Sequence, residues 1–295
     1  MPELPEVETI KLGLQKYLVG KAIVDVEVRL RRIFSGDEKN IINAKIVSVD
    51  RFGKGLVINL NNGYSIAAHI KLTGQFIYRD STASNVKLSP KVGSQIPNKF
   101  THVIIKLKTQ SSKFKTIAQN AKVGNAFLYY NDIRQFGWIK IVKSDKLKEI
   151  SFFRDLGPEP FKDLNFGLFE KIVKSSNTAI KVLIMDQKKI GGIGNIYAND
   201  GLFRAKINPE RKAKDLKNSE IKTLYNAILY VLKKGLENGG ASELNYVNAL
   251  GQEGKYQHHF LAYAQNGKPC SCCKTIIKKI TLGGRGTYFC GNCQK

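Results

Sequence analysis

The residues best suited to chemistry stand at the start of the chain, in Met1-Pro2-Glu3-Leu4-Pro5-Glu6-Val7-Glu8. If Met1 is removed, Pro2 becomes a free secondary amine. An α-amino group titrates near ~7.7–8.0, so a useful fraction is neutral and nucleophilic at physiological pH. Such an amine attacks a carbonyl-level carbon and forms an iminium. Glu3 and Glu6 lie close enough in sequence to supply acid or base. The competing reading is a frayed terminus, the common fate of first residues. With Met1 attached, Pro2 is a tertiary amide with no nucleophile, so this reaction centre exists only after processing.

A second chemistry is written at the other end. Cys270-x2-Cys273 and Cys290-x2-Cys293, separated by 16 residues, have the spacing of a four-thiolate zinc site. Closure by four Cys makes that zinc structural, not catalytic. Cys272 is an extra thiol between two ligands, and register favours Cys273. Five Cys is an odd number, which argues for metal over disulfides and for a reducing compartment.

Three weaker signals lie between the termini. Lys54 sits in Arg51-Phe52-Gly53-Lys54-Gly55, a glycine-flanked turn where backbone can approach a ligand; a lone Lys in a turn is more commonly just solvated. Asn131-Asp132-Ile133-Arg134-Gln135-Phe136-Gly137 links two strands. Alternation along an extended segment would put Arg134 and Phe136 on one side, and an apolar wedge beside an Arg is what opens a base stack. The alternative is that Leu72, in the turn His69 to Gly74, and Phe136 are core residues. Gly191-Gly192-Ile193-Gly194-Asn195-Ile196-Tyr197 is neither a P-loop nor a dinucleotide fingerprint. It could offer backbone N–H groups to one phosphate or let two helices pack closely.

Several elements must position these residues. Pro5 to about Leu18 is helical, with Val7, Ile10, Leu14, Tyr17 and Leu18 on one face. Val24 to Leu30 alternates as a half-buried strand. Further strands are expected at Ile46 to Val49, Leu56 to Leu60, Tyr64 to Ile70, Val103 to Leu107, Ala126 to Tyr130 and Gly137 to Val142, which together suggest a sandwich or barrel. Arg79 to Lys99 and Thr109 to Asn125 are polar and weakly patterned, and read as long loops or insertions. Leu156-Gly157-Pro158-Glu159-Pro160 reads as a linker. Helices follow at Phe166 to Lys174, Thr178 to Asp186, Ile196 to Phe203 and Ser219 to Glu237, the last capped at Asn218 or Ser219 and stopped by Gly239-Gly240. Ala241 to Gln257 reads as a mobile loop. Two short strands would carry the Cys pairs, with Thr281 to Gly286 as the turn and Arg285 at its tip.

The 295 residues allow two or three modest domains, and a 42% hydrophobic fraction supports real cores. Lys and Arg total 48 against 24 acidic residues, a formal charge of +24. An excess of that size points first to nucleic acid and second to an anionic membrane. There is no apolar run near 18 residues and no signal peptide, so an intracellular soluble protein is expected.

Together, Met1 to Val7, His69 to Gly74, Asn131 to Gly137, Gly192 to Tyr197 and the four-cysteine tail with Arg285 resemble the family of bacterial formamidopyrimidine-DNA glycosylases. These are base-excision enzymes acting on oxidised purines. The likeness spans the chain in order. The resemblance implies an α+β multidomain fold: an N-terminal helix with a β-sandwich over 1–145, a helix–two-turn–helix domain over 146–240, a lesion-recognition loop and connector over 241–265, and a zinc ribbon over 266–295. DNA would lie in a cleft between the halves. Pro2 would attack C1′ of the damaged nucleotide. Glu3 would be the principal acid and base, and Glu6 would support the site. Lys54 would contact phosphate and assist strand cleavage, and Arg285 would bind phosphate beside the lesion and favour the second elimination. Lys181 and Asn195 match phosphate-binding positions, and His102 and Arg134 match DNA-contacting ones. Leu72 stands at a wedge position, and Arg134 and Phe136 would fill the space left by the flipped base.

The implied partner is double-stranded DNA containing oxidised bases, with one structural Zn2+, no membrane, a monomeric state and a cytoplasmic, nucleoid-associated location. The sequence departs from the family pattern in places. Leu72 stands where Met is usual, Ser175-Ser176-Asn177 replaces a Lys-rich run, Glu243-Leu244-Asn245 replaces an apolar–basic–acidic trio, and the Thr109 to Asn125 insertion is long. Two alternatives remain: a glycosylase of the sister family acting on oxidised pyrimidines, and a non-catalytic DNA-binding zinc protein on the same fold.

Overall fold

The computed structural model describes residues 1–109 and 125–295. The expected insertion from Thr109 to Asn125 therefore lies, apart from its end residues, outside the described residues. The chain divides into two compact units. One comprises residues 1–2, 6–154 and 241–254, and the other residues 3–5, 155–240 and 255–295.

Helix α1 (Leu4–Leu18) opens the chain. Val7, Ile10, Leu14 and Leu18 lie on one face and are fully buried, while Leu12 on the opposite face is exposed. Burying four such side chains contributes roughly 6–12 kcal/mol gross, whereas an isolated helix of this length is marginal in water. Packing therefore holds α1, and α1 in turn orders the chain start. Pro2 is buried and Glu3 is 2% exposed, which excludes the frayed terminus.

The strands of the first unit are β1 (Lys21–Val28), β2 (Phe34–Ser35), β3 (Ile46–Phe52), β4 (Gly55–Leu60), β5 (Tyr64–His69), β6 (Gly74–Arg79), β7 (Thr101–Thr109), β8 (Asn125–Asp132) and β9 (Trp138–Lys143). They form a four-stranded sheet ordered β1-β7-β8-β6 and a five-stranded sheet ordered β2-β9-β5-β4-β3. Inner-face residues of both sheets and the apolar face of α1 share one core, which makes this a β-sandwich. A bulge between Ile23 and Asp25 breaks the expected alternation of β1. Ile23 and Val26 point inward and Val24 is exposed. Strand β6 was not expected, because all six of its residues are buried and a strand covered on both faces shows no alternation. Beyond β6, Arg79 to Lys99 holds only a short 3-10 helix at Ala83–Asn85, but Ser89 and Val92 within it are buried. A short helix α2 (Ser151–Arg154) ends the first unit's main run.

The second unit contains α3 (Phe166–Lys174), α4 (Ile180–Met185), α5 (Asn195–Ala205) and α6 (Asn218–Glu237), then the hairpin β10 (Lys278–Leu282) and β11 (Arg285–Phe289). Helix α5 is buried almost all round. It packs closely on α6, where a Cβ on Gly235 would fall 2.4 Å from the Tyr197 hydroxyl. The cap of α6 is Lys217, not Asn218 or Ser219. Glu220 accepts the Lys217 N–H at 2.7 Å and is itself held by both Arg211 guanidinium nitrogens, so the carboxylate at the helix's third position starts it. The turn of the terminal hairpin is shorter than expected. Thr281 pairs with Gly286 and Leu282 with Arg285. Only Gly283 and Gly284 turn the chain, both at positive φ, as a two-residue hairpin requires. No helix among the described residues is long and apolar enough to cross a membrane.

Candidate active site

Glu3 is placed by the glycine-rich turn. Leu4 donates its N–H to the Gly192 carbonyl at 3.0 Å. A side chain on Gly192 would meet Leu4, and a Cβ on Gly194 would lie 2.3–2.6 Å from the Glu3 side chain. The glycines thus let the N-terminal segment lie against the start of α5. Gly194, the N-cap residue, has no side chain to cap α5, and Glu3 takes that part. Its Oε1 accepts the Ile196 N–H at 2.9 Å and its Oε2 the Tyr197 N–H at 3.3 Å. The expected backbone cradle for a phosphate therefore binds this chain's own carboxylate. Lys181 and Asn195 converge on one carbonyl. The Lys181 ammonium donates to Gly286 O at 2.9 Å and to Thr287 Oγ1 at 2.7 Å, and Asn195 Nδ2 donates to Gly286 O at 3.0 Å. Burial pushes the Lys181 ammonium down to about 7, with nearby Glu3 opposing the fall and Arg285 adding to it. Arg285, next to Gly286, is exposed at the head of β11.

In the first unit, the buried Glu6 carboxylate accepts the Ala241 N–H at 2.8 Å. Lys54 is not solvated as a turn lysine would be, being 3% exposed. It occupies the two-residue turn closed by the Phe52–Gly55 pair. Gly55 also pairs with His69, the last residue of β5. His69 was not assigned a role from sequence. Its ring meets Phe152 edge-on at 4.7 Å, and its Nδ1 accepts the Lys71 N–H at 2.9 Å. The remaining ring nitrogen therefore carries the proton as a donor. Burial, then the charges of Lys71 and Lys54, push the His69 imidazolium down to about 3, so the ring is neutral at physiological pH.

The residues expected to form a wedge stand on two turns that are tied together by hydrogen bonds. Thr73 donates to the Asp132 carboxylate and accepts the Arg134 N–H at 3.0 Å. The other Asp132 oxygen accepts the Gly137 N–H at 2.8 Å. Both Thr73 and Asp132 are buried. Leu72 is half-buried, and Phe136 is 53% exposed, which removes the core reading for Phe136. The Arg134 guanidinium lies 4.8 Å over the Phe136 ring. The pair is brought together not by strand alternation but by Gln135 at φ 56° between them. A cation–π contact at an exposed site is worth only about 0.5–1 kcal/mol, so it leaves both side chains available to an incoming ligand. His102 is buried, and its Nε2 donates to the Asp132 carbonyl at 2.8 Å, which locks the same turn. Thr73 and Asp132 carry no sequence signal of their own, since they bond each other across 59 positions of chain.

Cys270, Cys273, Cys290 and Cys293 place their sulfurs within 4.8 Å of one another. The Cys270–Cys293 and Cys273–Cys290 separations are 3.9 and 3.4 Å. Four Zn–S bonds of about 2.3 Å arranged tetrahedrally require sulfurs about 3.8 Å apart, so the set fits one structural zinc. Cys272 is exposed and outside the cluster.

Comparison with known proteins agrees with this architecture. Residues 1–139 match the formamidopyrimidine-DNA glycosylase N-terminal domain, residues 156–245 the formamidopyrimidine-DNA glycosylase H2TH domain, and residues 267–295 the zinc finger found in FPG and IleRS. A formamidopyrimidine-DNA glycosylase of Pelotomaculum thermopropionicum is 38% identical over 301 residues, covering 100% of this chain and 99% of that one. Two solved complexes of Lactococcus lactis Fpg, each 30% identical, superpose with TM-scores of 0.82. One, with DNA containing an abasic site, covers 99% of both chains. The other, with DNA containing N7-benzyl-Fapy-dG, covers 100% of both.

Proposed function

We propose that this chain, which belongs to the formamidopyrimidine-DNA glycosylase family, is a base-excision-repair DNA glycosylase with abasic-site lyase activity that removes oxidised purines such as 8-oxoguanine and formamidopyrimidines. The observation that carries the proposal is the burial of Pro2 and the seating of the Glu3 carboxylate on the first N–H groups of α5. The acid next in sequence to the nucleophile is thereby held in place on α5.

Once Met1 is lost, the Pro2 nitrogen uses its lone pair to attack C1′ of the damaged nucleotide. The C1′–base bond breaks, the base leaves with a proton, and the sugar ring opens as Glu3 protonates its oxygen. The product is an iminium between Pro2 and C1′. It acidifies the C2′ proton, whose removal expels the 3′ phosphate; a second elimination expels the 5′ phosphate. Lys54 and neutral His69 offer donors to the DNA backbone, and Arg285 does so from the ribbon tip. Lys181 and Asn195 fix the Gly286 carbonyl beside Arg285. Leu72, Arg134 and Phe136 enter the stack and fill the space of the extruded base, offsetting an extrusion cost of a few kcal/mol. His102 and Glu6 support the wedge turn and the N-terminal helix. The zinc holds the ribbon and takes no part in the reaction.

This reading treats 1–145 as the catalytic part, 146–240 as the DNA-binding helical part, 241–265 as the lesion-recognition loop and connector, and 266–295 as the zinc ribbon. The protein acts as a monomer on chromosomal DNA in the cytoplasm. Release from 8-oxoguanine and thymine-glycol duplexes tests the substrate class. Faster release of 8-oxoguanine is expected. Preference for thymine glycol would move the protein to the sister activity, and no release from either would leave only a DNA-binding role.

A further inference from the structure

The loop from Ala241 to Gly254 contains neither strand nor helix, yet half of its residues are buried. It begins on the catalytic helix, where the Ala241 N–H binds Glu6, four residues from Pro2. It is held by Gln75 of β6 and by Lys91 in the segment that follows β6. Gln75 Nε2 donates to the Asn245 carbonyl at 2.7 Å and to the Lys91 carbonyl at 3.2 Å. The Lys91 ammonium donates to the Ser242 carbonyl and pairs with the Glu253 carboxylate at 2.6 Å. Gln75 and Lys91 thus grip the loop at Ser242, Asn245 and Glu253, where Ser89 also donates to the Glu253 carboxylate at 2.6 Å. Between the first two grips only Glu243 and Leu244 intervene, and Leu244 is 51% exposed.

We propose that Gln75 and Lys91 are positioning residues that set the shape of the Glu243–Leu244 turn, and that they govern excision of the damaged base without governing cleavage at a site that has already lost it. The inference rests on the glycosylase reading above. The physical ground is a division of labour. A loop that meets the base matters only while a base is present, whereas Pro2 and Glu3 act on the sugar in both reactions. A part-exposed ion pair adds little to global stability, so its loss loosens the loop and leaves the sandwich intact.

The test uses the full mature chain with Lys91→Met, Lys91→Arg and Gln75→Leu. Base release from an 8-oxoguanine duplex and strand cleavage of an abasic duplex are measured side by side. Displacing a reaction group by about 1 Å can cost on the order of 10²-fold; a loosened loop is expected to slow base release about tenfold in Lys91→Met and Gln75→Leu while abasic cleavage stays within about twofold. Lys91→Arg, which can still donate to Ser242 and Glu253, restores release. Amide hydrogen exchange over Ser242 to Gly254 should rise in Lys91→Met and return in Lys91→Arg. An equal fall in both reactions, no change in either, or unchanged exchange would overturn the proposal. The exchange measurement does so independently of whether the wild type releases 8-oxoguanine.

Discussion

His69 illustrates what a single buried side chain contributes. Phe152 packs against its ring, Lys71 occupies its Nδ1, and Lys54 stands across the adjoining hairpin. Because its folded-state value, about 3, lies below the ordinary 6.5, the unfolded chain binds a proton in that window that the folded chain does not. Stability therefore falls as pH drops from about 6.5 toward 3 and is unaffected by this group above 6.5. Between about pH 7 and pH 4.5 the loss should reach roughly 2–3 kcal/mol. Urea unfolding of wild type and His69→Asn at both pH values checks this. The variant should lose less stability on acidification, and parallel losses would remove His69 as the cause. Sequence could not find this residue. Pro2 and Glu3 declare themselves by type and adjacency, but the role of His69 depends on an aromatic eighty-odd residues away and on a hairpin closed by pairing.

At the scale of elements, the glycine-rich turn and α5 form one device. A Cβ on Gly194 would press on the Glu3 carboxylate, the far end of a flexible side chain that two N–H groups of α5 hold, and the Gly194 backbone lies at φ −134°, where Ala is unstrained. Gly194→Ala should therefore fold with near-wild-type melting while losing on the order of 10²-fold in excision rate. Equal rates would mean that the position of Glu3 is not critical. The zinc ribbon is a second device. Its small apolar core, built around Phe203, Ala262, Ile277 and the cysteines, is too slight to hold the hairpin alone. Chelation should release about one zinc per chain and weaken DNA binding measured by fluorescence anisotropy; unchanged affinity after verified metal loss would contradict that. Elements with one exposed face were legible, as α1, α3 and α6 were from their periodicity. Strand β6 was not, because burial on both faces erases alternation. Nor was the seat of the 241–254 loop, whose grips come from Gln75 and Lys91.

Over the whole molecule, a formal charge of +24 suits a polyanionic partner. The zinc ligands were legible because four Cys stand in two short-spaced pairs, the fold class was legible through the likeness of several motifs to one family, and Pro2 and Glu3 stood out as candidates by type and adjacency. What was hidden is the internal use of groups that looked like ligand contacts: the N–H pair at Ile196 and Tyr197 holds Glu3, and the Lys181 ammonium holds β11. The account as a whole turns on one atom, the Pro2 nitrogen, which is an amide while Met1 remains and a nucleophile once it is gone. Borohydride trapping on an 8-oxoguanine duplex tests this directly, with N-terminal processing verified by mass. The mature protein should yield a covalent protein–DNA adduct, and both Pro2→Gly and the Met1-retaining form should yield none. An adduct formed equally well with Met1 in place, or no adduct from the correctly processed chain, would contradict it.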